Sequence, residues 1–286
     1  MEVIVGRYAG FCGGVKQAVE KTEKSTYNYK DIYCLGEVVH NKQVIENLEK
    51  NGLKIVNSID EIPSGSKMII RAHGEREETY LIALERKIEI IDTTCIFVET
   101  IHKKVKKARE DSFIIIIGER KHPEIIGTSG FAGENYYIIE EENDILQAYL
   151  EYEKTNLDKV YVCSQTTYNS QKFDYFIQKI KEKFLNTELT IDKTICNSTE
   201  LRQKECEELL NKVDAMIIIG GKNSSNTKKL VEITKKGLEK VFWIQTVEDL
   251  RKISLNEINK IGILAGASTP DYIIEEVRLY IEKNNI

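Results

Sequence analysis

The sequence predicts an α/β fold made of three units in pseudo-threefold arrangement, each with a parallel sheet, around one central site. Three observations support this prediction. A strand, a loop, a cysteine and a helix follow one another three times, around Cys12, Cys95 and Cys196. The offsets from these cysteines to a glycine that ends the next strand are 24, 23 and 24 residues. Strands then alternate with helices at lengths typical of right-handed βαβ units, which build parallel sheets.

Each predicted unit repeats the same series of elements after its cysteine. The helix after the cysteine leads into a first strand, and these strands end at Gly36, Gly118 and Gly220. A polar loop, a second helix and a second strand follow. The third strands begin at a lysine each time: Lys67, Lys159 and Lys260. The predicted units are residues 1–95, 96–192 and 193–286. The last unit lacks a fourth strand, so we expect the N-terminal strand at Val3–Val5 to fill that place.

Composition excludes several classes of protein. A net charge of −5 and the lack of a basic stripe carrying aromatic residues argue against nucleic acid as a partner. No apolar run approaches the roughly 18 residues that a membrane helix needs, and the chain starts with a strand pattern rather than a signal peptide. Six cysteines without CxxC pairs do not resemble a secreted disulfide scaffold. We therefore expect a cytoplasmic protein with reduced thiols and no membrane partner.

The three repeated cysteines are candidate metal ligands. Each is expected at the carboxyl end of a strand, where open parallel sheets bind ligands, and just before a helix whose N-terminus favours a thiolate. Three thiolates can hold zinc with a fourth position open, or three irons of a [4Fe–4S] cluster with one iron open. Sulfur ligation alone does not separate these alternatives. Cys34, Cys163 and Cys206 fall within strand or helix patterns and are predicted to be core residues.

The loops after the first and third strands supply hydrogen-bonding side chains. Matching residues of the first loops lie 28, 27 and 28 residues after their cysteines: His40, His122 and Ser224. Comparable places in the later loops hold three more: His73, Thr166 and Ser268. Together with Asn226 and the helix N-termini, these residues suit a pocket for phosphate oxygens. The remaining histidine, His102, is predicted to lie on the polar side of its helix.

Nine short motifs in order from Val5 to about Pro270 give the chain a family resemblance. They are Phe11-Cys12-Gly13-Gly14-Val15, His40-Asn41, Ala72-His73-Gly74, Asp92-Thr93-Thr94-Cys95, His122-Pro123-Glu124, Gln165-Thr166-Thr167, Thr194-Ile195-Cys196, Lys222-Asn223-Ser224-Ser225-Asn226 and Ala265-Gly266-Ala267-Ser268. Each motif is weak by itself, but the set strongly resembles the 4-hydroxy-3-methylbut-2-enyl diphosphate reductase family of the non-mevalonate isoprenoid pathway. Two residues depart from the family pattern: Ile96, where proline is usual, and Glu75, where an apolar residue is expected.

The resemblance implies a [4Fe–4S] cluster held by Cys12, Cys95 and Cys196, with the open iron taking the allylic hydroxyl of the substrate. The implied reaction is the reductive dehydroxylation of (E)-4-hydroxy-3-methylbut-2-enyl diphosphate to isopentenyl and dimethylallyl diphosphate. It uses two electrons and two protons, and the electrons come from an external donor such as ferredoxin or flavodoxin.

The resemblance also assigns roles to the loop residues. Those that would hold the diphosphate are His40, His73, His122, Ser224, Ser225, Asn226 and Ser268. Glu124 and Thr166 would serve the hydroxyl end of the substrate, as catalytic residues and, for Thr166, also in binding. The repeat agrees with this assignment, because a carboxylate occurs at only one of the three matching loop positions, as an asymmetric substrate requires. These positions are Lys42, Glu124 and Asn226.

Two alternatives remain open from the sequence. One is a three-cysteine iron–sulfur or zinc sensor that binds without turnover, although Glu124 beside a phosphate pocket argues against it, since a sensor needs no proton donor. The other is a hydratase with an open iron. Turnover that consumes reducing equivalents would separate the reductase from the hydratase.

Overall fold

The computed structural model describes residues 1–283, and these residues form two compact units. The terminal unit contains Met1–Lys16, Val39–Ile45 and the chain from Asn197 onward. The central unit contains Gln17–Val38 and Glu46–Cys196. Across the described residues the strands form three four-stranded sheets, and every pairing is parallel. The predicted α/β class with parallel sheets is confirmed.

The first sheet lies in the central unit and has the strand order β3-β2-β4-β5. Its strands are β2 (Ile32–Leu35), β3 (Leu53–Val56), β4 (Lys67–Ile70) and β5 (Glu89–Asp92). The helices that alternate with them along the chain are α1 (Gly13–Asn28), α2 (Lys42–Lys50) and α3 (Glu77–Glu85). A 3₁₀ helix at Ile59–Glu61 begins with a capping box. The Ser58 side chain accepts a hydrogen bond from a backbone N–H of the helix, and the Glu61 side chain accepts one from the Ser58 N–H.

The second sheet, also in the central unit, has the order β7-β6-β8-β9. Its strands are β6 (Ser112–Ile117), β7 (Tyr136–Ile139), β8 (Lys159–Ser164) and β9 (Glu188–Ile191). The accompanying helices are α4 (Ile96–Ala108), α5 (Pro123–Ser129), α6 (Asp144–Tyr152) and α7 (Ser170–Lys183). All six residues of β6 are buried, because one face packs on α6 and α7 and the other on α4 and α5. A continuous β-branched run suits such a doubly covered strand.

The third sheet lies in the terminal unit and has the order β1-β12-β10-β11. Its strands are β1 (Glu2–Val5), β10 (Ala215–Ile219), β11 (Lys240–Ile244) and β12 (Lys260–Ala265). Its helices are α8 (Asn197–Leu210), α9 (Ser225–Gly237), α10 (Val247–Leu250) and α11 (Asp271–Lys283). The N-terminal strand pairs with β12, with Val3 opposite Ile261, which confirms that it fills the vacant fourth place. The boundaries 1–95, 96–192 and 193–286 themselves stay a prediction.

The three sheets share one strand order and one set of backbone bonds, as the sequence repeat predicts. In each sheet the first strand of the repeat lies between the second and the third. The glycine that ends each first strand donates its N–H to the last residue of the second strand. These bonds run from Gly36 to Val56 at 2.8 Å, from Gly118 to Ile139 at 3.0 Å and from Gly220 to Ile244 at 2.9 Å.

Within residues 1–283, no helix is long and apolar enough to cross a membrane. The cytoplasmic location stays a prediction.

Candidate active site

Each repeated cysteine is fixed by the same backbone hydrogen bond. The cysteine lies directly before α1, α4 or α8, and its N–H donates to a carbonyl in the loop after a third strand. The bonds join Cys12 to Ala267 at 3.1 Å, Cys95 to Ala72 at 3.0 Å and Cys196 to Thr166 at 3.0 Å. The acceptor Thr166 is a predicted site residue. The acceptors Ala267 and Ala72 directly precede the predicted site residues Ser268 and His73. The fold therefore ties every candidate thiol to a loop that carries a candidate binding group.

The burial of the six cysteines separates them into two groups. The three repeated cysteines are half-buried, whereas Cys34, Cys163 and Cys206 are buried, as predicted for core residues. Burial raises the pKa of Cys34 to about 12 and that of Cys206 to about 11, and it raises the pKa of Cys163 further. Because metals bind the thiolate, the buried group is poorly suited to ligation. The Sγ of Cys12 accepts a hydrogen bond from the Val15 N–H at 3.4 Å, in the first turn of α1. Each of the three half-buried thiols by itself therefore suits ligation of a metal better than the buried ones do.

The carboxyl group of Glu124 forms a buried pair with Thr166. Glu124 is 2% exposed, and its two oxygens accept hydrogen bonds from the Thr166 N–H at 2.6 Å and the Thr166 hydroxyl at 2.7 Å. Burial raises the pKa of Glu124 to about 7, while the two hydrogen bonds from Thr166 oppose the shift. The carboxyl group can therefore exchange a proton near neutral pH, which a general acid requires.

Helix α5 positions Glu124, and its first turn determines which ring nitrogen of His122 accepts a hydrogen bond. Pro123 opens the helix and His122 is its N-cap, with Nδ1 accepting the Glu124 N–H at 3.1 Å. A neutral imidazole that accepts at Nδ1 carries its proton on Nε2. The ring of His73 meets the ring of His122 edge-on, with centroids 5.4 Å apart. In the central unit, contacts therefore run without a break from the Cys95 backbone through the two histidines and Glu124–Thr166 to Cys196.

The His73 loop packs closely on α5 and contains an ion pair of its own. A Cβ added to Gly127 of α5 would lie 3.4 Å from the Gly74 carbonyl carbon, so the helix and the loop approach closely. The departure at Glu75 is explained by a buried ion pair, in which Arg71 Nη2 lies 2.6 Å from Glu75 Oε1 on the two sides of His73. Burial raises the pKa of Glu75, and the Arg71 guanidinium opposes that shift. The negative charge of Glu75, which an apolar environment disfavours, is therefore balanced by the positive charge of Arg71.

In the terminal unit, residues from the loops after β10 and β12 contact His40. The Ser268 hydroxyl donates to the His40 carbonyl at 3.0 Å, and the amide nitrogen of Asn223 lies 3.4 Å from His40 Nδ1. Gly221 approaches the same carbonyl so closely that a Cβ would lie 2.7 Å from it. Ser224 is the N-cap of α9 and accepts the Thr227 N–H at 3.3 Å.

Asn226 combines two properties of an anion-binding residue. It lies in the first turn of α9, and both polar atoms of its amide are buried without a hydrogen-bond partner within the described chain. Ser225 precedes it and is also buried. Buried amides are normally satisfied, so the orphaned group points to a ligand with hydrogen-bonding oxygens. A helix N-terminus favours an anionic one.

The prediction for His102 is wrong. Its side chain is 4% exposed and stacks on Phe131, with ring centroids 4.5 Å apart. Burial lowers the pKa of His102 to about 4, so the ring is neutral. The apolar stripe of α4 contains Val98, Ile101 and Val105, and position 102 completes its i, i+3, i+4, i+7 pattern. That spacing could have indicated burial. The His102 ring packs against Gly74, so it contacts the loop that carries His73.

The fold and the strand-end residues define an α/β protein with a polar ligand site at the carboxyl ends of parallel strands. The chain belongs to the LytB protein family, whose model matches residues 3–282. It is 40% identical over 284 residues to the 4-hydroxy-3-methylbut-2-enyl diphosphate reductase of Clostridioides difficile (strain 630), covering 99% of both chains. It is 37% identical over 292 residues to the reductase of the same name from Aquifex aeolicus (strain VF5), covering 99% of this chain and 96% of the relative.

Two solved structures have the same fold. One is the E-1-hydroxy-2-methyl-but-2-enyl-4-diphosphate reductase from Plasmodium falciparum, with a TM-score of 0.88 and 32% identity over 100% of this chain and 88% of that one. The other is described as (E)-4-hydroxy-3-methyl-but-2-enyl diphosphate reductase, the terminal enzyme of the non-mevalonate pathway. It has a TM-score of 0.70 and 36% identity over 99% of this chain and 100% of that one. The predicted family is confirmed.

The raised pKa of Glu124 predicts a pH-dependent stability. Its folded-state pKa of about 7 exceeds the usual 4.5. The folded protein therefore holds this proton more tightly, and stability falls as the pH rises from about 4.5 through 7. For one buried carboxyl this loss is on the order of 3 kcal/mol. Urea unfolding from pH 4.5 to 8 should show Glu124→Gln without this decline, whereas the exposed Glu134→Gln control should follow the wild type. Parallel curves for all three proteins would contradict the assignment.

Proposed function

We propose that the chain is a reductase that removes the hydroxyl group of (E)-4-hydroxy-3-methylbut-2-enyl diphosphate. One substrate, two electrons and two protons give one water and one molecule of isopentenyl or dimethylallyl diphosphate. The names of the relatives support the substrate. The buried Glu124–Thr166 pair carries the proposal, because a neutral carboxyl group beside a hydroxyl suits protonation of a leaving oxygen.

The proposed cofactor is a [4Fe–4S] cluster held by Cys12, Cys95 and Cys196. Their partial burial, their places before helices and their matched backbone bonds support this set. Zinc has no redox chemistry and could not pass electrons to the substrate, whereas an iron–sulfur cluster would supply electrons and an open iron for the substrate hydroxyl. The electrons are proposed to come from an external carrier such as ferredoxin or flavodoxin.

Glu124 and Thr166 are proposed to handle the proton at the hydroxyl end of the substrate. Thr166 holds the carboxyl group by two hydrogen bonds, which fix its orientation. Its hydroxyl can also pass a proton from Glu124 to an oxygen on its other side. Burial keeps part of the Glu124 population protonated near pH 7, although the N-terminus of α5 by itself favours the ionised form.

The remaining predicted residues are proposed to bind the diphosphate. Histidine rings, hydroxyls and an amide offer donors of fixed direction, and the N-terminus of α9 adds its backbone dipole. The proposed set is His40, His73, His122, Ser224, Ser225, Asn226 and Ser268, with Thr166 at the hydroxyl end. The unsatisfied amide of Asn226 is the most direct support for a ligand with many oxygens.

Turnover of the anaerobically purified protein tests the reaction. With reduced methyl viologen, each molecule of product should consume two electrons, and no product should form without reductant. Glu124→Gln keeps the shape of the side chain and removes its acidity, so kcat should fall by roughly 10²-fold or more. The exposed control Glu134→Gln should retain kcat, because its side chain lies outside the Glu124–Thr166 pair. Conversion of the substrate to a hydrated compound without reductant would favour a hydratase, and near-normal kcat in Glu124→Gln would remove its acid role.

Cysteine substitutions test the cofactor separately. Serine at position 12, 95 or 196 should lower iron and sulfide per chain and abolish activity, because each thiol is assigned one iron. Serine at position 34, 163 or 206 should leave metal content unchanged, since these residues belong to the cores. Iron and sulfide assays with absorption spectra give the readout. Zinc instead of iron, or a full cluster in Cys95→Ser, would refute the assignment.

Asn226→Ala tests diphosphate binding. A hydrogen bond to a charged oxygen contributes about 1.5–3 kcal/mol, so KM should rise roughly ten- to a hundredfold with little change in kcat. The thermal midpoint should not fall, because the amide has no partner to lose within residues 1–283. Thr227→Val is the matched control. The Thr227 hydroxyl is also buried and unsatisfied, but it faces the Gly220 and Gly266 backbone. Equal KM effects in both variants would contradict the binding role of Asn226.

A further inference from the structure

Residues 6–12, which we call the Cys12 segment, lead from β1 to α1 without regular secondary structure. At one end of the segment, the Gly6 N–H donates to the Ile263 carbonyl at 2.8 Å. At the other end, the Cys12 N–H donates to the Ala267 carbonyl at 3.1 Å. The residues between these two bonds belong to no strand or helix, so the place of Cys12 also depends on what holds them.

Two charged side chains of α8 bond to the backbone of the Cys12 segment. Glu205 accepts the Arg7 N–H at 2.6 Å and the Tyr8 N–H at 3.1 Å. Arg202 donates from Nη2 to the Gly10 carbonyl at 2.7 Å. The acid binds two donors of the segment and the arginine binds an acceptor, so each backbone group meets a partner of the opposite kind. Such charge-assisted hydrogen bonds are stronger than neutral ones.

Arg202 is buried, with 4% of its surface exposed, although a buried charge is costly unless it is hydrogen-bonded. Its second terminal nitrogen, Nη1, donates to the Ser198 carbonyl at 2.9 Å and to the Ser198 hydroxyl, in the first turn of the same helix. These bonds orient the guanidinium while Nη2 reaches the Gly10 carbonyl. A planar guanidinium suits this arrangement, because its nitrogens donate in fixed directions.

The internal repeat shows that packing of the helix does not require a charge at this position. Arg202 lies six residues after its cysteine, and the residues at the same offset in α1 and α4 are Ala18 and Ile101. Both are buried, at 0% and 3% exposure. An apolar side chain therefore fills the same place in the other two repeats. Arg202 is a property of the third repeat only, and apolar packing does not explain it.

The residue nine positions after each repeated cysteine bonds to the chain that leads into the next one. Lys21 donates from Nζ to the Asp92 carbonyl at 2.7 Å, and Lys104 donates from Nζ to the Asp192 carboxylate at 2.8 Å. Glu205 holds this position in the third repeat. In each case the partner lies three to five residues before the next repeated cysteine, when the first cysteine is counted as following the third repeat. An acid replaces lysine in the third repeat because its partners are N–H donors rather than oxygens.

We propose that Arg202 and Glu205 are positioning residues, which hold the Cys12 segment so that the Cys12 thiol keeps its place as a ligand of the proposed cluster. This inference rests on the proposed function and its cofactor. Both side chains act through backbone groups of the segment rather than on the substrate. The conformation of Gly10 agrees with this role. Its φ of +102° lies in the left-handed region that favours glycine, so the segment turns at the residue whose carbonyl Arg202 binds.

Hydrogen exchange tests the positioning role. It is measured by mass spectrometry on the full-length, anaerobically purified protein, before and after a chelator removes its metal. Arg202→Met removes the charged donor and keeps a long side chain that suits burial. Glu205→Ala removes the acceptor of two N–H groups at a half-buried position. In both states of the protein, exchange in the Cys12 segment should become roughly tenfold faster or more in each variant, because a charge-assisted hydrogen bond contributes about that much to a local opening equilibrium.

Two controls separate positioning from general stability. Glu208→Ala removes an exposed acid from the same helix and should leave exchange in the Cys12 segment unchanged. Strand β10 (Ala215–Ile219) belongs to the same sheet as β1, and its exchange should match the wild type in all variants. Equal acceleration in β10 and in the Cys12 segment would show a general loss of stability and overturn the proposal. Unchanged exchange of the segment in both Arg202→Met and Glu205→Ala would overturn it as well.

The rate of iron loss links the segment to the cofactor. With an iron chelator in excess, Arg202→Met and Glu205→Ala should lose iron roughly tenfold faster than the wild type and Glu208→Ala, because Cys12 leaves its place more often. The KM of the molecules that keep their metal should not change, since neither residue is assigned to the diphosphate. Equal rates of iron loss in all four proteins would overturn the proposal. A wild-type protein without iron would instead contradict the proposed cofactor, and hydrogen exchange would still test the hold on the segment.

Discussion

One backbone hydrogen bond recurs in all three repeats, and the candidate site depends on it. The N–H of each repeated cysteine donates to a carbonyl in the loop after a third strand, at 3.0 to 3.1 Å. Parallel strands bring these loops and the cysteines to the same edge of each sheet, so the bond needs no special side chain. Because it involves only backbone atoms, sequence can vary around it. The loop can therefore carry His73, Thr166 or Ser268 while the thiol keeps its place.

On this shared backbone, Glu124 is the position where opposing electrostatic effects are balanced. Burial disfavours the carboxylate, whereas the two hydrogen bonds from Thr166 and the N-terminus of α5 favour it. The result is a pKa near 7 rather than a fully ionised or fully neutral group. Either contribution alone would move the group away from the range in which it can both hold and release a proton. The matching loop positions, Lys42 and Asn226, lack a carboxyl group, so only one of the three repeats has a titratable acid there.

The fold was largely predictable from the sequence because it depends on patterns that the sequence displays directly. The cysteine-to-glycine offsets predicted the repeat, and the missing fourth strand placed Val3–Val5 beside β12. Side-chain environments were harder to predict, because they depend on what packs from distant segments. His102 is buried since Phe131 stacks on its ring. Glu75 is tolerated because Arg71 lies on the same loop. The unsatisfied amide of Asn226 is visible only in three dimensions.

A sequence pattern also does not show which apolar residues remain uncovered. Ile96 and Phe97 begin α4 directly after Cys95 and are 56% and 53% exposed, whereas the corresponding residues of the other repeats are Gly13-Gly14 and Asn197-Ser198. Like the carboxyl group of Glu124, this pair belongs to the second repeat only, on a backbone that the three repeats share.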